Sequence, residues 1–325
     1  MRGTNVHDVR LGKQTVFLSN AMSEQIVVVG SYNFAFFFKG RSLPAKGESI
    51  LGDVFYEGHG GKGSNQAVCA AGLGGNVRFI GCVGDDVYGQ GAKKLYEQVG
   101  VQTEHLFVES SSHTGVGAIL IDQNGDNMIS VVPGSNQLLS TAHIDRAESV
   151  IASSRILASQ LEGPLDTYLY ALQTAKKHGV TTLLDPAPAV PLSEEFYAYT
   201  DWITPNETEA EILTGVNVST LDNAVKAGKI LCERGVGAAI MKLGERGCIH
   251  VTAETEQYYP AYPVSMVDAT GAGDAFAAGF MVALASGKTP EEALKIANVV
   301  GALSVTKIGV VNAFPTQEEI ERIIS

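Results

Sequence analysis

From Thr141 onward, short apolar runs alternate with longer amphipathic stretches, and this alternation restricts the fold more than any other feature of the chain. Arg155 to Leu161, Thr181 to Leu184, Trp202 to Thr204 and Ala238 to Leu243 read as buried strands. Ala142 to Ala152, Leu165 to His178, Glu207 to Leu213 and Asn223 to Arg234 read as helices. Strands separated by helices of this length pair through crossovers, which predicts a mostly parallel sheet covered on both faces. The run Ile26-Val27-Val28-Val29, closed by Gly30, adds a buried strand near the start, and Val77 to Val83 adds another. The predicted class is α/β, Rossmann-like. The end of the chain is helical, over Gly273 to Ala285, Pro290 to Thr306 and Gln317 to Ile324.

Four segments do not fit the alternation. Phe34 to Lys39 and Ser49 to Glu57 are extended without a helix between them. Val116 to Asp122 and Met128 to Val132 flank Asn124-Gly125-Asp126-Asn127, a hairpin signal. Together they predict a small β layer, about residues 33–58 and 115–133, within a single domain that spans residues 25–325. Phe36-Phe37-Phe38 puts aromatic rings on both faces of its strand, one to pack on the body and one for a subunit contact.

Lys and Arg number 23 against 35 Asp and Glu, a net charge of −12. An acidic chain has no electrostatic reason to bind nucleic acid or an anionic membrane. No apolar run approaches the roughly 18 residues of a spanning helix, so a soluble, cytoplasmic protein is expected. Residues 1–24 read as a disordered extension. The four Cys form no C-x-x-C pair, and no zinc ribbon or disulfide framework is predicted.

Three motifs carry chemistry. Gly58-His59-Gly60-Gly61-Lys62-Gly63-Ser64-Asn65-Gln66 spells a dinucleotide fingerprint, but it does not follow the first strand of the sheet. It reads instead as an open turn at a helix start, where Lys62 and Asn65 present polar groups to a hydroxylated ligand. Asp268-Ala269-Thr270-Gly271-Ala272-Gly273-Asp274 leads into an apolar helix. The amides of Gly271, Ala272 and Gly273 would face a transferring phosphoryl group, and Asp274 would accept a proton from the attacking hydroxyl. Thr204-Pro205-Asn206-Glu207-Thr208-Glu209 places Asn206 and Glu209 on one face of a helix start. The pair reads either as oxygen ligands for Mg²⁺ or as a capping box.

These motifs, together with Val83-Gly84-Asp85-Asp86, Leu161-Glu162 and Asp185-Pro186-Ala187-Pro188, resemble those of the ribokinase-like (phosphofructokinase B type) carbohydrate kinases, from about Ile26 to Pro315. The resemblance implies a Rossmann-like body with a β lid that also pairs two subunits into a homodimer. It implies ATP over Lys242, Gly244 and Gly247, with Asn206 and Asn298 nearby, and Mg²⁺ at Glu209. It implies a small sugar held by Asn33, Gly61, Lys62, Asn65 and Glu162, and K⁺ at a loop formed by Asp268, Thr270 and Gly309. The expected activity is transfer of the γ-phosphoryl group to a primary hydroxyl of a small sugar, ribose first.

Two positions depart from the family pattern. Ala35 stands where the family places a sugar-binding Asp, and Ala313 where it has a small hydroxyl residue in the cation loop. A missing hydroxyl partner changes selectivity strongly, so another sugar, a deoxy-sugar, a polyol or a nucleoside is the alternative substrate. A catalytically silent nucleotide- or sugar-binding protein is the alternative of another class.

Overall fold

The computed structural model describes residues 25–324; the extension expected over residues 1–24 lies outside them. In chain order the strands are β1 (Ile26–Val29), β2 (Asn33–Lys39), β3 (Val54–Gly60), β4 (Val77–Gly84), β5 (Gln102–Glu109), β6 (Gly115–Ile121) and β7 (Asn127–Val132). They continue with β8 (Ile156–Ser159), β9 (Thr181–Leu184), β10 (Trp202–Ile203), β11 (Ala238–Lys242), β12 (Cys248–Val251) and β13 (Glu256–Tyr259). The helices are α1 (Lys62–Gly72), α2 (Val87–Val99), α3 (Thr141–Ala152), α4 (Leu165–Lys177) and α5 (Glu194–Ala198). They end with α6 (Glu207–Thr214), α7 (Leu221–Glu233), α8 (Ala272–Ala285), α9 (Pro290–Ser304) and α10 (Gln317–Ile324).

Nine strands form one sheet in the order β13-β12-β11-β10-β9-β8-β1-β4-β5. Every pair from β11 to β5 is parallel, and only the two pairs made by β12, with β11 and β13, are antiparallel. The four residues of β1 are fully buried because both faces of the sheet are covered. Ile26 and Val28 pack with residues of α1, α2, α8, α9 and α10, while Val27 and Val29 pack with residues of α3 to α7. Helix α8 is apolar on all sides, as a helix enclosed by α1, α9 and the sheet must be.

The remaining strands form a second sheet in the order β3-β2-β6-β7, with β2 and β6 parallel. The third strand of the sequence begins later than expected, at Val54 rather than Ser49, and runs on to Gly60. Its pairing with β2 continues to Asn33↔Gly60, so the ladder ends at the polar residues of the motif rather than before them. Strand β5 carries no clear periodicity in the sequence. Cys82, Glu109 and His143 converge beside β5. His143 is already committed, with Nδ1 accepting from the Ser140 amide at 3.1 Å and Nε2 lying 3.3 Å from Glu109. Burial pushes the Cys82 thiol up to about 12, which suits packing more than ligation.

Candidate active site

The site lies where β1, α1 and β2 of the second sheet meet. Gly61 precedes α1 with φ of 90°, and a Cβ there would lie 2.7 Å from the Asn33 amide nitrogen. Only glycine allows this approach. It places the Lys62 amide 2.9 Å from Glu162 Oε2, which also accepts from Ser31 Oγ at 2.5 Å and Asn33 Nδ2 at 3.5 Å. Asn33 Oδ1 accepts from Asn136 Nδ2 at 2.9 Å, and Asn136 also exchanges two hydrogen bonds with the backbone of Tyr32. The Asn33 carboxamide is therefore oriented before any ligand arrives.

Asp274 stands in the first turn of α8, whose N-cap Gly271 has φ of 80°. Its carboxylate is buried and accepts from Asn65 Nδ2 at 2.8 Å. Burial pushes its pKa up to about 6, against the pull of Lys62 and the Asn65 hydrogen bond, while Asp185 and Glu162 push it further up. Burial alone would lower the Lys62 pKa. The carboxylates of Asp274, Asp185, Glu162 and Glu209 reverse that and hold the ammonium above the ordinary lysine value.

A cleft of about 200 Å³ opens beside Asp274. Gly271, Ala272 and Gly273 form one wall, and Lys62, Asp185, Asn206, Glu209 and Lys242 supply the polar groups around it. Lys242 Nζ lies 2.8 Å from Asp185 Oδ1 and would lie 3.1 Å from a Cβ on Gly273, so its charge sits beside the leading amides of α8. The Ala272 amide donates to the Ala269 carbonyl at 3.2 Å, and the helix start carries the positive end of the helix dipole. Two ammonium groups and a helix start thus face one space, a donor set suited to a polyphosphate.

The two readings of Asn206 and Glu209 are both present. Glu209 accepts from the Asn206 amide at 2.8 Å and from Asn206 Nδ2 at 2.9 Å, completing a capping box, and both residues also line the cleft. Asp268 accepts from Thr270 through its amide and hydroxyl and from the Gly309 amide at 3.0 Å, which ties the two expected cation-loop segments together. Gly244 and Gly247, both at positive φ, bracket the turn after β11, and Asn298 donates to Cys248 Sγ at 3.6 Å. These three are not among the residues that line the cleft. Sequence reasoning did not single out Ser31, Gln66, Asn136 or Asp185 as site residues. Asn136 follows Pro133-Gly134-Ser135, a turn signal that could have marked it as a polar anchor.

Ala35 shares the face of β2 that carries Asn33. Around it on the same face lie Gly58 and Gly117, its partners across the sheet, and Phe37, stacked on Tyr56 at 4.5 Å. The Tyr56 hydroxyl is raised by burial and then by Asp268, which places this face over the body. The opposite face carries Phe34 and Phe36 against Tyr88, then Phe38 and Phe55, which are 44% and 57% exposed.

A model of the pfkB family carbohydrate kinases matches residues 23–317. The chain belongs to this family. Its sequence is 38% identical to a ribokinase of Haemophilus influenzae, over 92% of this chain and 97% of the relative. It is 36% identical to a deoxyribokinase of Salmonella typhi, over 92% and 98%. Its fold matches that of an Arabidopsis thaliana ribokinase complexed with ribose and ATP, with a TM-score of 0.87, 29% identity, and coverage of 94% and 99%. The cleft beside Asp274 is thus the candidate active site of a carbohydrate kinase. No described helix of this pfkB family member is long and apolar enough to cross a membrane.

Proposed function

We propose that this enzyme transfers the γ-phosphoryl group of ATP to the primary hydroxyl of a pentose, ribose first. The observation that carries the reading is the placement of the buried Asp274 carboxylate between the Asn33–Glu162–Lys62 group on one side and the Lys242–Gly273 wall on the other. The sugar hydroxyls bind Asn33, Lys62, Asn65 and Glu162. Asp274 takes the proton of the attacking hydroxyl as its oxygen bonds to the γ-phosphorus and the bond to the ADP oxygen breaks. A loose phosphoryl-transfer transition state asks for positioning more than for base strength, which a carboxylate with pKa near 6 meets. The amides of Gly271 to Gly273, with Lys62 and Lys242, stabilise the charge on the transferring group.

Oxygen atoms of Asn206 and Glu209 fit Mg²⁺ held largely through waters, where the ion would neutralise phosphate charge. Asp268, Thr270 and Gly309 form the loop for K⁺. The nucleotide extends over Gly244 and Gly247 toward Asn298. The exposed face of the lid pairs two copies of the chain, and the protein works in the cytoplasm.

A second reading, a deoxypentose as acceptor, is favoured by Ala35, which offers no hydroxyl partner on the lid face. ADP release with Mg-ATP over ribose, deoxyribose, other sugars, polyols and nucleosides tests both. Turnover of ribose well above the rest supports the first reading, and preference for deoxyribose supports the second. Turnover by Asp274→Asn equal to wild type would refute the assigned chemistry.

A further inference from the structure

Gln66 lies behind the cleft on α1 and is fully buried. Its side-chain nitrogen is 2.9 Å from Asp185 Oδ2 and 3.4 Å from Asp274 Oδ1. Its side-chain oxygen accepts from Gln160 Nε2 at 2.7 Å. Gln160, also fully buried, is wedged against Gly30 and Gly63, where no larger residue fits. The amide of Gln66 therefore has one available orientation, with its NH₂ toward the two carboxylates.

Those carboxylates have different partners. Asp185 accepts from Lys242 Nζ at 2.8 Å and Thr204 Oγ1 at 3.2 Å, and so belongs to the phosphate side of the cleft. Asp274 accepts from Asn65 at 2.8 Å and belongs to the acceptor side. Two buried carboxylates this close repel, and without a donor between them they would turn apart or share a proton. A shared proton would take from Asp274 the lone pair it needs.

We propose that Gln66 is a positioning residue of the phosphoryl-transfer site, whose amide, locked by Gln160, holds Asp185 toward Lys242 and Asp274 toward the acceptor hydroxyl. The inference rests on the reading of Asp274 as the base. Gln66 touches neither substrate, so its loss acts on turnover rather than on binding. The charged groups that face Asp274 are Lys62, Asp185 and Glu162, and none of them replaces the lost amide donor.

Gln66→Met keeps the side-chain length and removes the amide. The expected result is a fall in kcat of about tenfold or more with KM for sugar and ATP within about threefold of wild type. The acid limb of the kcat profile moves to higher pH, because a carboxylate that loses a donor is a stronger base. A wild-type kcat, or a lowered kcat with an unmoved acid limb, overturns the proposal. Gln160→Met, which frees the Gln66 amide but leaves both carboxylates untouched, gives the same shift in smaller measure and serves if Gln66→Met does not fold. Asp274→Asn is measured alongside. Turnover retained there overturns the base and this inference together, whereas an inert Asp274→Asn with a wild-type-like Gln66→Met overturns only the role of Gln66.

Discussion

Asn65 Nδ2 and Asp274 Oδ2 lie 2.8 Å apart although 209 residues separate them, and this contact joins the helix start of α1 to that of α8. It presents a carboxylate at a helix N-terminus, yet burial outweighs the donors around it and leaves the pKa near 6. A base must be deprotonated to act. Turnover should therefore rise with pH through about 6 and level off above it, before any alkaline limb. A profile of kcat/KM against pH with no acid limb between about 5 and 7 would contradict this.

The same carboxylate is a stability liability at neutral pH. Its folded pKa lies above the value of about 3.9 expected for an unfolded chain. Its contribution is fully present below that value and is lost as pH rises through about 6. Asp274→Asn should thus melt at or above wild type at pH 8, with the difference shrinking toward pH 4, while kcat falls by about 10²-fold or more. Melting curves at the two pH values check the sign.

Ala35 leaves the lid face without a hydroxyl partner, and Gly58 and Gly117 beside it leave room for a longer side chain. Ala35→Asp should raise the ratio of kcat/KM for ribose over deoxyribose by about tenfold or more, since a buried acceptor penalises a substrate that cannot donate to it. An unchanged ratio would place the discriminating contact elsewhere.

Lys242 and Asp185 form an ion pair whose side chains are 12% and 1% exposed. Lys242→Met removes the cation and leaves Asp185 with neutral donors only. Urea melts should show a loss of about 3 kcal/mol, most of it recovered in a double variant that adds Asp185→Asn. Equal losses in the single and double variants would mean that packing rather than charge sets the cost.

Phe38 and Phe55 stand together at the outer face of the lid, with ring centroids 5.4 Å apart. If this face pairs two subunits, Phe55→Glu buries an unpaired charge there and shifts the protein toward monomer. Light scattering after gel filtration reads the mass directly, and a wild-type monomer would dispose of the lid dimer.

The sequence made much of the fold legible because its signals were local. The apolar runs of β1, β4, β8, β9 and β11 and the helices between them follow from periodicity, and Gly271-Ala272-Gly273-Asp274 announces a helix start with a carboxylate in its first turn. What stayed hidden depends on contacts that no local pattern encodes. Gln66 and Asp185 are 119 residues apart, and nothing in either segment says that one amide separates two carboxylates. Asn33 and Asn136 meet 103 residues apart, through a turn that reads as loop. Strand β3 was misplaced because its last residues are Gly58, His59 and Gly60, poor strand formers held extended by the ladder with β2.

Asn33 opens β2, pairs with Gly60 at the end of β3, and donates to Glu162 in the body. If Asn33 holds the sugar as proposed, a residue that joins the second sheet to the body also grips the acceptor. A shift of the second sheet away from the body would then pull on the contact between Asn33 and Glu162. On the proposed reading, acceptor affinity and the seating of the second sheet are tied together, so a loosened sheet would register first as a weakened hold on the sugar.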